Sequence, residues 1–221
     1  LLRNVARRLY LGTRRNIDTR PMAADDYLKV QYRGDKLEYV LPRVKIISTV
    51  QYLIRFLEGR RPPSSILDAG ARDGWTVSLF NQLGLDNVTG VELIEPLVAH
   101  ARANGRNVVQ GDLHELPFAD GSFGLVFCRH TLEHTMDPKK AMRELVRVCE
   151  PGGIVFITLP IERNARGKHT VAIPNLRLLK QLALDAAGQR IDILKIARSA
   201  ETRVIIPDGD EALLILRKKP N

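Results

Sequence analysis

Between residues 65 and 159, short apolar runs alternate with segments of helical period, and this alternation constrains the fold more than any other feature. The runs 65–69, 87–91, 107–110, 123–128 and 153–159 read as strands, and 75–83, 95–104 and 138–149 read as helices. Strands separated by helices are joined by right-handed crossovers, which lay the strands parallel and put helices on both faces. Gly84 and Gly105 stand where two of the helices should stop. Upstream, from Pro42, the apolar positions Val44, Ile47, Val50, Leu53, Ile54 and Leu57 recur at helical spacing, with Gly59 as the stop. Arg60-Arg61-Pro62-Pro63 then reads as a linker, because proline resists continuation of a helix. The chain thus divides into residues 1–61, an extension whose helix packs on the core, and residues 62–221, the main domain. Past Pro160 come a polar loop, a helix near 174–187 and apolar runs at 190–197, 202–206 and 212–217. Pro207-Asp208-Gly209-Asp210 is a turn between the last two, and a closing antiparallel hairpin at one sheet edge fits.

Charge separates the same two parts. Residues 1–61 hold 14 Lys/Arg against 6 Asp/Glu, whereas residues 62–221 hold 20 against 19, so almost all of the net charge of +9 lies in the extension. Arginines 7, 8, 14 and 15 offer peripheral contact with an anionic membrane surface, or else a solvated helical face. Aromatic residues for base stacking are sparse there, and no stable nucleic-acid complex is expected. The chain has no run of about eighteen apolar residues, which excludes a helical membrane span. Residues 1–20 have neither the apolar core nor the cleavage site of a secretory signal. Cys128 and Cys149 lack metal-type spacing and read as buried free thiols of a cytoplasmic protein.

The chemistry is concentrated around Ile66-Leu67-Asp68-Ala69-Gly70-Ala71-Arg72-Asp73-Gly74. An apolar strand runs into a turn whose glycines let the backbone bend tightly and leave room for a ligand at the start of the next helix. Glu92 ends the second apolar run, where a carboxylate can accept hydrogen bonds from both hydroxyls of a ribose. A dinucleotide fingerprint would need glycines where Arg72 and Trp75 stand, so pyrophosphate binding is poorly supported.

The segments that follow keep a definite order. Gly111-Asp112-Leu113 comes after the third strand, and Leu116-Pro117-Phe118-Ala119-Asp120-Gly121-Ser122-Phe123 leads into the fourth. Cys128-Arg129-His130-Thr131-Leu132-Glu133-His134 leaves the fourth, and Glu150-Pro151-Gly152-Gly153 opens the fifth. Across about residues 64–160 this set resembles the class I S-adenosylmethionine-dependent methyltransferases, in particular the small-molecule branch with ubiquinone-biosynthesis-type enzymes. The resemblance implies an α/β fold with a Rossmann-like, seven-stranded, mostly parallel sheet, a C-terminal antiparallel hairpin and helices on both faces. It implies S-adenosylmethionine as cofactor, S-adenosylhomocysteine as product, and transfer of the methyl group to an oxygen of a small metabolite or of a glycan or lipid precursor. It places Asp68, Ala69, Gly70 and Gly74 around the methionine part, Glu92 on the ribose and Leu93 on the adenine. Asp112 would accept from the adenine amino group, the Leu113 amide would meet a ring nitrogen, and Cys128 would complete the cofactor site. Arg72 departs from the family, which has glycine there. A bulky side chain dislikes positive φ, and this one would either crowd the methionine carboxylate or pair with it.

A hydroxyl acceptor must lose its proton, and histidine suits that near neutral pH. His130 is the first candidate base, followed by His134 and His169. The string His130-x-x-Glu133-His134 also has the form of a zinc-protease motif, but its place directly after the fourth strand opposes that. Some relatives carry E-x-x-E-H here and bind a divalent cation. This chain has His130 for the first acid, and no metal is expected. Arg163, Arg166, Lys168 and His169 in loop 161–173 would suit an acceptor bearing carboxylate or phosphate. A methyltransferase-like scaffold without catalysis is the alternative.

Overall fold

The computed structural model describes residues 40–165, 167, 169–199 and 210–220. Seven strands form one sheet: β1 (Ile66–Ala69), β2 (Val88–Glu92), β3 (Val108–Gln110), β4 (Phe123–Arg129), β5 (Cys149–Pro160), β6 (Ile191–Arg198) and β7 (Glu211–Lys218). Their order across the sheet is β3-β2-β1-β4-β5-β7-β6. The first five are mutually parallel, while β7 pairs antiparallel with both β5 and β6. Among the described residues the α-helices are α1 (Val40–Leu57), α2 (Trp75–Gln82), α3 (Glu95–Ala103), α4 (Pro138–Val148) and α5 (Leu176–Ala187).

The central strands are apolar throughout because both of their faces are covered. In β4, Leu125 and Phe127 enter a cluster with Val50 and Leu53 of α1, Val77 and Phe80 of α2 and Val98 of α3. Val126 and Cys128 enter the opposite cluster with Met142 and Leu145 of α4 and Leu179 of α5. Helices α1 to α3 therefore cover one face, and α4 and α5 the other. Phe127 lies between Phe80, edge-on at 5.4 Å, and Phe156, stacked at 5.6 Å.

Several boundaries differ from the sequence reading for physical reasons. Strand β5 starts at Cys149 rather than near 153, because Phe123 still pairs with Cys149 before an irregularity that skips to Leu125 opposite Ile154. Helix α1 begins at Val40, ahead of Pro42, since proline is tolerated within a first helical turn. The closing hairpin is present as β6 and β7, but the later strand lies inside: β7 takes the place beside β5 and pushes β6 to the edge. The apolar run 202–206, its turn 207–209 and the basic segment 1–39 lie outside the described residues. Among the described residues no helix is long and apolar enough to cross a membrane.

Candidate cofactor and acceptor site

The strand order reverses between β1 and β4, and in open α/β sheets ligands bind outside the carboxyl ends of the strands at such a point. The turn after β1 is built for close approach. Gly70 has φ 83°, and a Cβ on it would lie 2.2 Å from Thr131 Oγ1. That hydroxyl donates to the Ala69 carbonyl at 3.1 Å, tying the tip of β1 to the turn after β4. Gly74, with φ 72°, caps α2. Arg72 adopts φ 51° despite its side chain, and its N–H donates to Glu92 Oε2 at 2.9 Å. The other oxygen of Glu92 accepts from the Ile94 N–H, also at 2.9 Å. One buried carboxylate thus joins the turns after β1 and β2, and each oxygen keeps a lone pair for a further donor such as a ribose hydroxyl.

Asp68 is 4% exposed, and its Oδ2 has no hydrogen-bond partner among the described residues. Burial, with the charges of Glu92 and Asp73 adding to it against a weaker opposing effect of Arg129, pushes its carboxyl up to about 7. A cation brought near it would relieve that strain. Leu93, expected against the adenine, is 59% exposed on the rim after β2. Asp112 follows β3 with one oxygen engaged: Oδ1 accepts from the His114 N–H at 2.9 Å and meets His114 Nδ1 at 2.6 Å. These bonds, the backbone one foremost, hold its carboxyl below the usual range. The segment continuing from Leu113 is pinned by Arg147 of α4, whose guanidinium donates to the Leu116 and Phe118 carbonyls at 3.0 and 2.8 Å. Glu144 holds the same guanidinium and also accepts from the Leu116 N–H at 2.8 Å.

Two of the expected cofactor residues have buried side chains. Cys128 and Ala69 are both fully buried, with side chains in the apolar cluster on the α4 side. Strand alternation turns them away from the face that carries Asp68, so what they offer a ligand is backbone. Burial raises the Cys128 thiol well above the ordinary thiol range, and both cysteines are free and buried.

The histidines separate by environment. His130, the first candidate base, lies between two carboxylates. Its Nε2 lies 2.9 Å from Glu211 Oε1 of β7, and its Nδ1 lies 3.4 Å from Glu133 Oε1. Burial opposes its charge, but the two carboxylates outweigh burial and hold the ring more basic than usual. A carboxylate close to each nitrogen favours the protonated ring, which works against its taking a substrate proton. Arg129 extends the cluster, lying 4.0 Å from Glu211 and donating to Thr49 of α1 at 3.4 Å. His169 is better placed for proton transfer. Its Nδ1 lies 2.7 Å from Glu162 Oε2, so the carboxylate holds a proton on Nδ1 and leaves Nε2 as the basic nitrogen. His134 is exposed and packs edge-on to His169 at 4.8 Å between ring centroids. Loop 161–173 is drawn over this turn by Thr170, whose N–H donates to the Glu133 carbonyl at 2.8 Å and whose hydroxyl donates to that of Thr135 at 2.6 Å. Arg163 of this loop is exposed, while Arg166 and Lys168 lie outside the described residues.

Glu133, His134 and His169 each present one ligand atom within 4.8 Å of the other two. Glu133 is 2% exposed, and its Oε2 has no hydrogen-bond partner among the described residues. The sequence reading missed Glu162, Glu211 and His114. Glu162 and His114 lie near named motif residues, whereas Glu211 is 81 positions from His130 and had no local signal.

A family model described as a methyltransferase domain matches residues 67–157. A malonyl-[acyl-carrier protein] O-methyltransferase of Erwinia pyrifoliae is 37% identical over 110 residues, 48% of this chain and 42% of that protein. A ubiquinone biosynthesis O-methyltransferase of Bordetella avium is 32% identical over 124 residues, 53% of this chain and 49% of that protein. The matches thus span less than half the length of these curated relatives. Among solved structures, an S-adenosylmethionine dependent methyltransferase from Mesorhizobium loti superposes with a TM-score of 0.54 at 18% identity, over 70% of this chain and 90% of that one.

Proposed function

We propose, from the fold and the matched methyltransferase segment, that this class I S-adenosylmethionine-dependent methyltransferase domain moves the methyl group of S-adenosylmethionine to an oxygen of a small metabolite or of a glycan or lipid precursor. The observation that carries the reading is the pair of acidic strand tips. Glu92 is fixed at both oxygens by backbone amides, and Asp112 is fixed at one oxygen, so the two carboxylates are poised for the sugar and the base of one nucleoside. Buried Asp68, short of a positive partner, suits the charge of the methionine part and of the sulfonium. The α2 N-terminus, preceded by the Gly70 and Gly74 turn, suits the carboxylate of that part.

Methyl transfer from a sulfonium is an in-line displacement: the acceptor oxygen bonds to the methyl carbon as the carbon–sulfur bond breaks, and the electron pair stays on sulfur. Holding acceptor and methyl group aligned supplies much of the rate. The acceptor proton goes to His169 Nε2, with Glu162 keeping the ring in the required tautomer and stabilising the imidazolium that forms. The exposed Arg163 on the same loop suits an acceptor carrying negative charge. The two curated O-methyltransferase relatives favour oxygen as the acceptor atom.

A second reading adds a divalent cation. Glu133, His134 and His169 fit one by donor type, and buried Glu133, whose Oε2 has no hydrogen-bond partner among the described residues, favours it. When bound, such an ion would lower the pKa of an acceptor hydroxyl. The test of the main reading is titration calorimetry with S-adenosylhomocysteine. Wild type should bind, and the Glu92→Ala, Asp112→Ala double variant should not. Equal affinity in the two proteins would refute the site.

A further inference from the structure

We propose that His114 is a positioning residue for adenine recognition, aiming the Asp112 carboxylate so that the site distinguishes a 6-amino purine from a 6-oxo purine. The inference rests on the nucleoside site proposed above and adds to it a side chain that touches no cofactor.

His114 Nε2 lies 3.0 Å from the Asp137 N–H, which can only donate, so Nε2 must carry a lone pair and accept. The ring proton of the neutral imidazole is therefore on Nδ1, 2.6 Å from Asp112 Oδ1. The His114 N–H reaches the same oxygen at 2.9 Å. Two donors on one oxygen fix the rotation of the carboxylate about its last side-chain bond, a torsion that is otherwise broad. Oδ2 is left without a partner among the described residues, on a side chain 49% exposed.

The support behind the imidazole is rigid. Asp137 is the N-cap of α4, its Oδ1 accepting from the Lys140 N–H at 2.9 Å. A relay thus runs from the start of α4 through both ring nitrogens to the carboxylate at the mouth of the site. The ring itself is mostly covered, its side chain 19% exposed. An oxygen aimed in this way accepts from an exocyclic amino group and repels a carbonyl oxygen in its place. Without the imidazole the carboxylate would rotate and receive either base edge less selectively.

The experiment compares S-adenosylhomocysteine with S-inosylhomocysteine, which carries oxygen in place of the amino group, by calorimetry on the full chain. Wild type should prefer the adenosyl ligand by roughly thirtyfold, the worth of one hydrogen bond to a charged group. Asp112→Ala should abolish the preference. His114→Ala should reduce it to a few-fold while the inosyl affinity stays nearly constant, and His114→Asn, whose amide can donate from near the Nδ1 position, should restore most of it. A His114→Ala protein that binds both ligands more weakly by the same factor would show a merely structural role and overturn the proposal. A preference that survives in both His114 variants would do the same, and so would a wild type that binds both ligands equally. Should His114→Ala fail to fold, the Asn variant decides: loss of the preference there with intact adenosyl binding in wild type contradicts the rescue. No binding of either ligand by wild type would instead sink the nucleoside site and leave the relay without a function.

Discussion

Asp68 carries a cost in the ligand-free protein, and Asp68→Asn should expose it. Its carboxyl stands at about 7 in the folded chain against 3.8 for the free group, chiefly because burial disfavours the charge. The folded state therefore holds a proton that the unfolded state releases between those two values. Stability falls as pH rises through that window, the reverse of what an ion-paired carboxylate does. The penalty grows from about 2 kcal/mol at pH 5 to about 4 kcal/mol at pH 8. Asparagine escapes it but brings a buried amide whose own desolvation costs about 1–3 kcal/mol, independent of pH. The informative quantity is therefore the change with pH. Urea unfolding at both pH values should show the stability difference, variant minus wild type, rising by about 2–3 kcal/mol toward pH 8. Saturating S-adenosylmethionine should then stabilise wild type more than the variant, since a cation near Asp68 holds it ionised without penalty. A stability difference that stays constant between the two pH values would refute the account of the buried carboxylate.

The remaining predictions concern the turn and the base. Gly70→Ala forces a Cβ to 2.2 Å from Thr131 Oγ1 at φ 83°. The combined strain of about 2–5 kcal/mol should lower the Tm by roughly 5–15 °C and weaken cofactor binding, both measurable by thermal melts with and without S-adenosylhomocysteine. His169→Asn should lower kcat by roughly a hundredfold to ten-thousandfold with unchanged cofactor affinity, and Glu162→Gln should give a smaller fall. On the second reading chelation would also stop turnover and an added divalent ion would restore it, whereas a proton acceptor alone is indifferent to both.

The core of the fold was legible because it is locally encoded. Each central strand is a short apolar run, each covering helix has its own period, and Gly70 and Gly74 mark a turn that only a tight loop into a helix requires. The insertion of β7 between β5 and β6 was not legible. Its apolar run suits either an inner or an edge position, and the choice is made by pairing of Ile154–Pro160 with residues more than fifty positions away. The candidate cofactor carboxylates could be located in the sequence for the same reason as the core: Asp68 is the penultimate residue of β1, Glu92 ends β2 and Asp112 follows β3. What stayed hidden was the state of the histidines. His130, His134 and His169 are chemically identical in sequence; the fold sets carboxylates against His130 and His169 and packs exposed His134 edge-on to His169.

That difference separates the two halves of the site. On the cofactor side the decisive contacts run from backbone amides to motif carboxylates: Arg72 and Ile94 to Glu92, and His114 to Asp112. Backbone donors survive changes of side chain, so this half can accept Arg72 in the left-handed region, where a glycine would be ordinary, because its amide is what Glu92 uses. On the acceptor side the decisive contacts are between side chains from distant segments, Glu211 to His130 and Glu162 to His169. Substitution at any one of these alters charge and proton position directly. Acceptor choice is therefore expected to reside in β7 and loop 161–173, and donor binding in the turns after β1, β2 and β3. Exchanging loop residues 161–165 for those of an O-methyltransferase relative should change which acceptors are methylated while leaving S-adenosylhomocysteine affinity within about twofold, as independent sites require. A matching collapse of cofactor affinity would show that the two halves are one coupled unit.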